Sequence, residues 1–259
     1  MKVSNFTAQS ASGIKIFKPV QYLFVEGVAN NGMKNVKMRA RLVNSESGRV
    51  DEIIPLVGLD VLGEITSMNE GFFVKCDYED GKDNFAVNVM LHPTSAVYLS
   101  NDRYLEVDIE GLSDAEETTI YGIEMPVIDK EFICRYNKFY MSAGELQKTF
   151  TIGENENLIL PDESFEEVTL HYKNGSSCTY TNKELQAMMM LKNDIVSVPK
   201  LKCNYVVGTA YQAIYEETEY CFGSADMYGL DVADVETISI RREAASKAFE
   251  FILIDTIKE

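Results

Sequence analysis

The sequence contains one short pattern twice, and the spacing between the two copies decides the fold. Residues 74–81 read VKCDYEDG, and residues 201–208 read LKCNYVVG. Six of the eight positions are identical or chemically close. Cys203 follows Cys76 by 127 residues (203 − 76), and the lysine, tyrosine and glycine of the pattern keep the same distance. A real duplication predicts further signals at this spacing.

Turn and helix signals recur at the same distance. Gly175 in KNGSS follows Gly48 in SESGR by 127 residues (175 − 48). Asn182 opens the stretch TNKELQAMMMLKND and follows Pro55, which opens PLVGLDVLGEI, by the same number (182 − 55). Proline is favoured in the first turn of a helix, so the spacing predicts two equivalent helix starts. The order of elements is therefore duplicated.

The repeat unit is about half the chain, which is far longer than the roughly 20–50 residues of solenoid or propeller repeats. The sequence of 259 residues therefore predicts two tandem domains, residues 1–127 and residues 128–259. We expect the junction within EMPVIDKEF, residues 124–132, where Pro126 interrupts the strand pattern.

Most of the chain alternates apolar and polar residues with a period of two, as half-buried strands do. In NVKMRARLV one face is apolar and the other cationic. The segments that predict strands in this way are residues 35–43, 84–91, 103–111, 118–125, 167–172, 235–242 and 249–255. We predict an all-β protein with two tandem eight-stranded sandwiches or jelly rolls and short helices.

Three local predictions accompany this fold. Asn174-Gly175 between two strand-like runs predicts a type I′ hairpin. Thr181 followed by Glu184 is a capping box, and in the helix that it opens Leu185, Met188 and Met189 are expected to close one end of the barrel rather than form a sticky patch. The glycine-rich stretch FGSADMYGLD, residues 222–231, is expected to be a loop.

Charge and cysteine content limit the partners. The formal net charge is −17, from 41 acidic and 24 basic residues, so the surface repels phosphate backbones and no direct nucleic-acid contact is expected. The five cysteines are irregularly spaced without a C-x-x-C, as in reduced thiols of a protein made in a cytoplasm. Residues 1–17 lack the long apolar core of a secretory signal, so no such signal is expected there. The polar segment of residues 1–13 is expected to be a frayed terminus or an arm that reaches a neighbour or a membrane.

No motif supports catalysis. His92 and His171 stand alone in MLHPT and TLHYK, whereas a barrel metal site of the cupin kind pairs histidines on one strand. Phosphate-loop and nucleophile-elbow patterns are absent. We therefore expect no enzyme and assign no catalytic, cofactor-binding or metal-binding residue.

One acidic cluster leaves a weak structural calcium site open. Asp77, Glu79, Asp80 and Asp83 lie close together in DYEDGKDN, but their spacing does not fit the EF-hand pattern. A solvated hairpin tip is the preferred interpretation, and no cofactor is predicted.

The architecture of residues 33–65 and 165–195 resembles that of the double jelly-roll major capsid proteins of tailless icosahedral viruses with an internal membrane, particularly those of corticovirus-type marine phages. In that family each barrel likewise opens with a strand, a hairpin and a short helix. The resemblance implies trimers with a pseudo-hexagonal outline that tile an icosahedral shell around the membrane. It also implies neighbouring capsid trimers, minor capsid or vertex proteins and the internal membrane as partners, and the virion as location after synthesis in the host cytoplasm.

Two other classes remain in view. A tandem β-sandwich binding module for a carbohydrate or a protein would expose aromatic side chains; tryptophan is absent, but 14 tyrosines are present. A DNA sliding clamp is also acidic and duplicated, but its helices line the DNA channel with basic residues, and the helix segments here carry only Lys183 and Lys192. Self-association discriminates between these classes, because a capsid protein must form trimers.

Overall fold

The structure is a computed structural model. It describes residues 1–30, 32, 35–69, 74–77, 83–128, 132–153, 157–161, 165–192, 201–204, 212–215, 227–242 and 248–258. Within them the regular elements are β-strands, apart from two short α-helices. It divides into two compact units, of which the first comprises Met1–Arg135, Pro199–Glu219 and Ile257–Glu259, and the second Tyr136–Val198 and Tyr220–Thr256. In the described part of the chain no helix is long and apolar enough to span a bilayer.

The elements of the first half, in chain order, are β1 (Lys2–Phe6), β2 (Ser10–Ile16), β3 (Tyr22–Ala29), β4 (Lys37–Asn44), β5 (Arg49–Gly58), α1 (Leu59–Asn69), β6 (Val74–Asp77), β7 (Asp83–Met90), β8 (Arg103–Glu110) and β9 (Thr118–Ile123). The elements of the second half are β10 (Phe132–Met141), β11 (Gln147–Thr151), β12 (Asn157–Pro161), β13 (Glu167–Tyr172), β14 (Ser177–Thr181), α2 (Asn182–Lys192), β15 (Leu201–Asn204), β16 (Gln212–Tyr215), β17 (Met227–Asp231), β18 (Val235–Arg241) and β19 (Phe249–Lys258).

Both units are eight-stranded jelly rolls, which confirms the predicted fold class. In the second unit the sheets run β10-β19-β12-β17 and β11-β18-β13-β14. In the first unit the corresponding orders are β1-β9-β3-β7 and β2-β8-β4-β5. The eight strands of each unit can be lettered B to I along the chain if β6, β15 and β16 are left out. The sheet orders are then B-I-D-G and C-H-E-F in both units, which is the arrangement of a jelly roll. In each unit one helix follows the strand lettered F.

The duplicated pattern that opens the sequence lies side by side in one sheet. Strand β6 continues the first unit's sheet beyond β7, and β15 pairs with β6 in parallel. Cys203 stands opposite Cys76 and Asn204 opposite Asp77. Strand β16 then pairs antiparallel with β15, so this sheet has seven strands. The predicted boundary at residues 127 and 128 falls between β9 and β10 and stays a prediction.

The first helix begins later than the sequence suggests. Pro55 lies inside β5, and α1 begins at Leu59, so the predicted helix start at Pro55 is wrong. The register between β4 and β5 shifts between the pairs Met38↔Val57 and Ala40↔Ile54, which leaves Pro55 at a bulge on the edge strand of its sheet. A proline is tolerated at such a position because no partner strand requires its missing N–H.

Both predicted hairpins form, with a glycine of positive φ in each: Gly48 at +69° and Gly175 at +84°. In the second hairpin, however, the amide of Gly175 donates to the carbonyl of Tyr172 at 2.9 Å. The tight turn is therefore centred one residue earlier than a type I′ turn on Asn174-Gly175 requires. The side chain of Asn174 accepts from the amide of Ser176 at 2.9 Å, and Gly175 supplies the left-handed residue of a three-residue loop.

The two cores are built from different residues. In the first unit aliphatic side chains fill most of the space between the sheets, for example Leu23, Val87, Val107 and Ile120, all fully buried. In the second unit the rings of Phe139, Phe150, Phe165, Phe249 and Phe251 contact one another or neighbouring rings. Phe251 lies 5.4 Å from Phe139 in a stacked arrangement and 4.9 Å from Phe150 edge to face, measured between centroids. Such pairs add to the free energy of burial.

Two local predictions are wrong. The N-terminal segment is neither frayed nor a free arm, because β1 pairs with β9 and the terminal amine of Met1 donates to the carbonyl of Gly122 at 2.8 Å. Residues 227–231 of the predicted loop form β17, whereas residues 222–226 lie outside the described residues. Tyr228 and Leu230 alternate toward the core, and Gly229 between them hides this period in the sequence.

Candidate functional site

The outward side of the β2-β8-β4-β5 sheet carries an ordered set of charges, and we call it the charged face. Its acidic residues on β8 alternate with buried Leu105, Val107 and Ile109. Strand β8 contributes Glu106, Asp108 and Glu110, and β4 contributes Lys37, Arg39 and Arg41. The register places Glu110 opposite Lys37, Asp108 opposite Arg39, and Glu106 opposite Arg41. An acidic column therefore lies directly beside a basic column.

Asp108 is the centre of this face. Its Oδ2 accepts from Nε and Nη2 of Arg39 at 3.0 and 2.6 Å and from Nη2 of Arg41 at 2.9 Å. Its Oδ1 accepts from the backbone amide of Gly13 at 2.8 Å. Burial is the largest single influence on this carboxyl and acts to raise its pKa, but the Gly13 amide and the two guanidinium groups together outweigh it, so the pKa of Asp108 is lowered. Asp108 is therefore held as an anion.

The charges extend to the outer strands and end at an apolar row. Lys15 on β2 and Glu52 on β5 complete the row of Glu106 and Arg41, so the signs alternate across all four strands. The following row is apolar and consists of Phe17, Tyr104, Val43 and Val50. The Phe17 and Tyr104 rings lie 5.2 Å apart, and Phe17 and Val50 are 43% and 54% exposed.

The equivalent outward side of the second unit, on the β11-β18-β13-β14 sheet, is lined with hydroxyl groups, and we call it the hydroxyl face. One row across the four strands reads Thr149, Ser239, Thr169 and Thr179. The hydroxyls of Thr149 and Ser239 lie 2.7 Å apart, and those of Thr169 and Thr179 lie 2.9 Å apart. The face is thus mostly uncharged.

Charge on the hydroxyl face is confined to the row of residues in which Glu167 lies opposite Arg241. Arg241 forms ion pairs with Glu166 at 3.0 Å and with Glu167 at 2.9 Å. The hydrogen bond from Arg241 to Glu167 is the main reason that the pKa of this guanidinium is raised. No acidic and basic columns comparable to those of the charged face occur among the described residues of this sheet.

A small cavity of about 210 Å³ lies beside the hairpin that joins β4 to β5. Leu42, Asn44, Arg49, Asp51 and Arg103 line it. Arg49 and Asp51 pair with each other at 2.7 Å. The lining contains polar groups of both signs and has none of the nucleophile and base pairs that hydrolytic chemistry requires.

The two histidines have separate structural partners. His92 is buried in the loop after β7, where its Nδ1 accepts from the amides of Thr94 and Ser95 at 3.2 and 3.0 Å. His171 lies on the hydroxyl face with its Nε2 3.2 Å from the Ser239 hydroxyl. Among the described residues no cluster of three His, Cys, Asp or Glu side chains is arranged to hold a metal ion.

The acidic stretch that left a calcium site open is only partly described. The backbones of Asp77 and Asp83 pair with each other as β6 meets β7, whereas Glu79 and Asp80 lie outside the described residues.

The second helix is held at its start as the sequence predicts. The Glu184 carboxylate accepts from the amide of Thr181 at 2.8 Å, and the Thr181 hydroxyl accepts from the amide of Glu184 at 3.2 Å. The Glu184 carboxylate also lies 2.9 Å from the Thr181 hydroxyl, and the bonds that it accepts from the Thr181 amide and hydroxyl lower the pKa of Glu184. Leu185 and Met188 pack against the second core, as expected, while the Met189 side chain lies outside the described residues. The capping box is confirmed.

The sequence pattern predicts the cationic face of β4 but not its acidic partner. The signal was present in RYLEVDIEG, where Glu106, Asp108 and Glu110 occupy every second position of a strand. Their opposition to Arg41, Arg39 and Lys37 depends on which strands pair, and that pairing joins residues about 70 positions apart, such as 39 and 108.

Comparison with known proteins gives a likeness in structure only. No protein-family model and no curated protein sequence matches the chain. The crystal structure of the major capsid protein of bacteriophage PM2 superposes with a TM-score of 0.53 at 9% identity, covering 100% of this chain and 95% of that chain. At this identity the likeness establishes a common fold.

Two further solved structures align with much lower scores. HutD from Pseudomonas fluorescens has a TM-score of 0.22 at 8% identity, with 97% of this chain and 74% of that chain covered. A peptide-N(4)-(N-acetyl-β-D-glucosaminyl) asparagine amidase has a TM-score of 0.28 at 14% identity, with 97% and 90% covered. Scores of this size support no structural argument.

Proposed function

We propose that the chain is a major capsid protein. In this proposal three copies form a trimer with a pseudo-hexagonal outline, and the trimers tile an icosahedral shell around an internal membrane. The observation that carries the proposal is the presence of two jelly rolls with the same strand order in one chain, together with a common fold over 95% of a phage major capsid protein. Two similar lobes in each of three chains supply six corners from a threefold oligomer.

The surface chemistry supports a structural role. The charged face and the hydroxyl face both contain hydrogen-bonded networks, in which Asp108 with Arg39 on one face and the Ser and Thr hydroxyls on the other bind neighbours in the same sheet. Groups tied in this way are suited to rigid packing rather than to proton transfer. The proposal therefore assigns no catalytic residue, and it requires no cofactor.

The partners in this proposal are copies of the same chain, minor capsid or vertex proteins and the internal membrane, and the protein resides in the virion after synthesis in the host cytoplasm. The net charge of −17 keeps unassembled subunits apart in solution and disfavours direct binding to the genome. Weak binding of a structural calcium ion by the acidic stretch that contains Asp77, Glu79, Asp80 and Asp83 is a minor part of the proposal.

The test is the mass and the shape of the purified full-length protein. Light scattering gives the oligomeric state, and negative-stain images of the same sample give the outline. We expect the mass of three 29.2 kDa chains and six-cornered particles. A monomer at all concentrations would contradict the proposal and favour the binding module, whereas a ring with an open centre would favour the clamp.

A further inference from the structure

The charges of the charged face are balanced although the chain is strongly acidic. Four basic residues lie on it, Lys15, Lys37, Arg39 and Arg41, and four acidic residues, Glu52, Glu106, Asp108 and Glu110. The formal charge of these eight residues is zero, while the whole chain carries −17. The net negative charge makes two copies of the chain repel each other over most of their surfaces. The charged face carries no net charge, so this repulsion is absent there.

The arrangement of the charges is self-complementary. Consider two copies that meet through this face, related by a twofold axis that lies in the plane of contact. If the axis is parallel to the strands and midway between β8 and β4, it brings β8 of one copy against β4 of the other. Glu110 then faces Lys37 of the second copy, and Glu106 faces Arg41. The same operation brings β2 against β5, so that Lys15 faces Glu52 of the second copy. An isologous contact of this kind matches every charge with its opposite.

The apolar row obeys the same symmetry. The axis places Phe17 against Val50 of the second copy and Tyr104 against Val43. Phe17 and Val50 are among the most exposed large apolar side chains of the described residues, at 43% and 54%. The apolar row supplies surface whose burial drives association, whereas the charges fix the orientation of the two copies.

The second unit provides an internal contrast. Its hydroxyl face has one principal cation, Arg241, which is paired with Glu166 and Glu167 in its own chain. A twofold operation on that face matches hydroxyl groups with hydroxyl groups and creates no charge pairing. Self-complementarity is thus a property of one jelly roll and not of the fold.

From these observations we propose that the charged face is a contact surface for a second copy of this chain, which packs against it face to face about a twofold axis. The inference rests on the proposed function, because it assigns the surface through which one capsid trimer meets the next.

The test uses complementary charge reversal in the full-length protein. One variant, K15E/K37E, makes the exposed positions of the face acidic, and the other, E52K/E110K, makes them basic. All four residues are exposed, so neither variant disturbs the core. In a mixed pair each Glu of the first variant faces a Lys of the second. We expect each variant alone to self-associate at least about tenfold more weakly than the wild type and the equimolar mixture to recover association.

Matched controls separate this contact from the effect of overall charge. K173E/K183E adds the same negative charge to exposed positions of the second unit, and E116K/E236K adds the same positive charge away from the charged face. Self-association is measured by sedimentation at low and at high ionic strength. We expect the controls to behave like the wild type, and we expect salt to weaken the wild-type contact because it screens the charge pairs.

The outcomes distinguish the inference from the proposed function. If wild type forms six-cornered trimers that associate further, and K15E/K37E behaves like its control, the charged face is not the contact and the inference is overturned while the proposed function stands. Failure of the mixture to recover association overturns the twofold arrangement. A wild-type protein that remains monomeric overturns both.

Discussion

The two jelly rolls of this chain share a strand order but differ in what they present to the outside. On the charged face, Arg39 and Asp108 belong to opposed columns of charge, whereas on the hydroxyl face the corresponding rows contain Thr and Ser. Inward positions of both sheets remain apolar and buried. The inward-facing positions of each strand therefore specify the barrel, and the outward-facing positions are free to acquire a separate role in each copy.

The cores differ in a similar way. Ile120 of β9 in the first unit and Phe251 of β19 in the second stand at equivalent places, 131 residues apart (251 − 120), and both are buried. The second unit fills the space with a cluster of phenylalanine rings, and the first fills it with aliphatic chains. Equivalent volume can thus be filled in two ways, provided that the side chains remain apolar.

The largest expected effect comes from the aromatic core. Phe251→Ala removes a ring that contacts Phe139 and Phe150 and leaves a cavity, so we expect the free energy of unfolding to fall by about 4 kcal/mol. Ile120→Ala at the equivalent place is expected to cost about 3 kcal/mol. Urea denaturation of the purified protein measures both. Equal losses would mean that the ring contacts add nothing beyond buried volume.

The next effect distinguishes the two outward faces. Asp108→Asn removes the charge that two guanidinium groups and the Gly13 amide surround, and we expect a loss of about 2 kcal/mol. Thr169→Val on the hydroxyl face removes only one exposed hydroxyl pair and is expected to cost below about 1 kcal/mol. Urea titrations at neutral pH compare the variants. A larger loss for Thr169→Val would contradict the assignment of the charged face as the more stabilising network.

The pH dependence of the free energy of unfolding also distinguishes the charged face from the hydroxyl face. Because the pKa of Asp108 in the folded protein is lowered below its ordinary value of 3.8, its contribution to stability is present above that value and is lost as the pH falls through the folded pKa. We therefore expect the stability difference between wild type and Asp108→Asn to shrink on acidification. The difference between wild type and Thr169→Val should stay constant over the same range, since neither hydroxyl titrates. A constant difference for Asp108→Asn would show that its ionisation is not what stabilises the sheet.

The smallest effect concerns the helices. Thr181→Ala removes the hydroxyl that caps α2 and should cost about 1 kcal/mol. Thr181→Ser retains the hydroxyl and serves as the control, with a loss of a few tenths of a kcal/mol at most. Thermal unfolding followed by circular dichroism detects the difference. Equal stability of the two variants would show that the capping box of the second unit does not contribute.

The fold could be predicted where local patterns carry it, and the outward faces could not. Alternation in β4, β8 and β18 gave strands at the right places, and the spacing of Gly48 and Gly175 gave the duplicated hairpin. The strands β1 and β2 escaped detection, because Ser, Asn, Ala and Gly occupy many of the positions where large apolar residues would make a period of two visible.

Features that depend on pairing partners lie beyond local patterns. Pro55 has the sequence context of a helix start, and only its place on the edge strand β5 explains why it lies in a sheet. The acidic column of β8 likewise acquires its meaning only beside β4. In the candidate site, the residue types were therefore readable, whereas their opposition across strands was not.

The parallel pairing of β6 with β15 has a consequence for biosynthesis. When the ribosome has completed the first half of the chain, strand β6 forms the border of its sheet with free N–H and C=O groups, and residues 201–204 that will cover it are not yet made. An unpaired edge strand of this kind can form backbone hydrogen bonds with strands of other nascent chains. In the completed chain residues 201–204 pair with β6, and β16 becomes the edge strand of the described part of this sheet. The backbone groups of β6 therefore find their partners only after the second repeat has been synthesised.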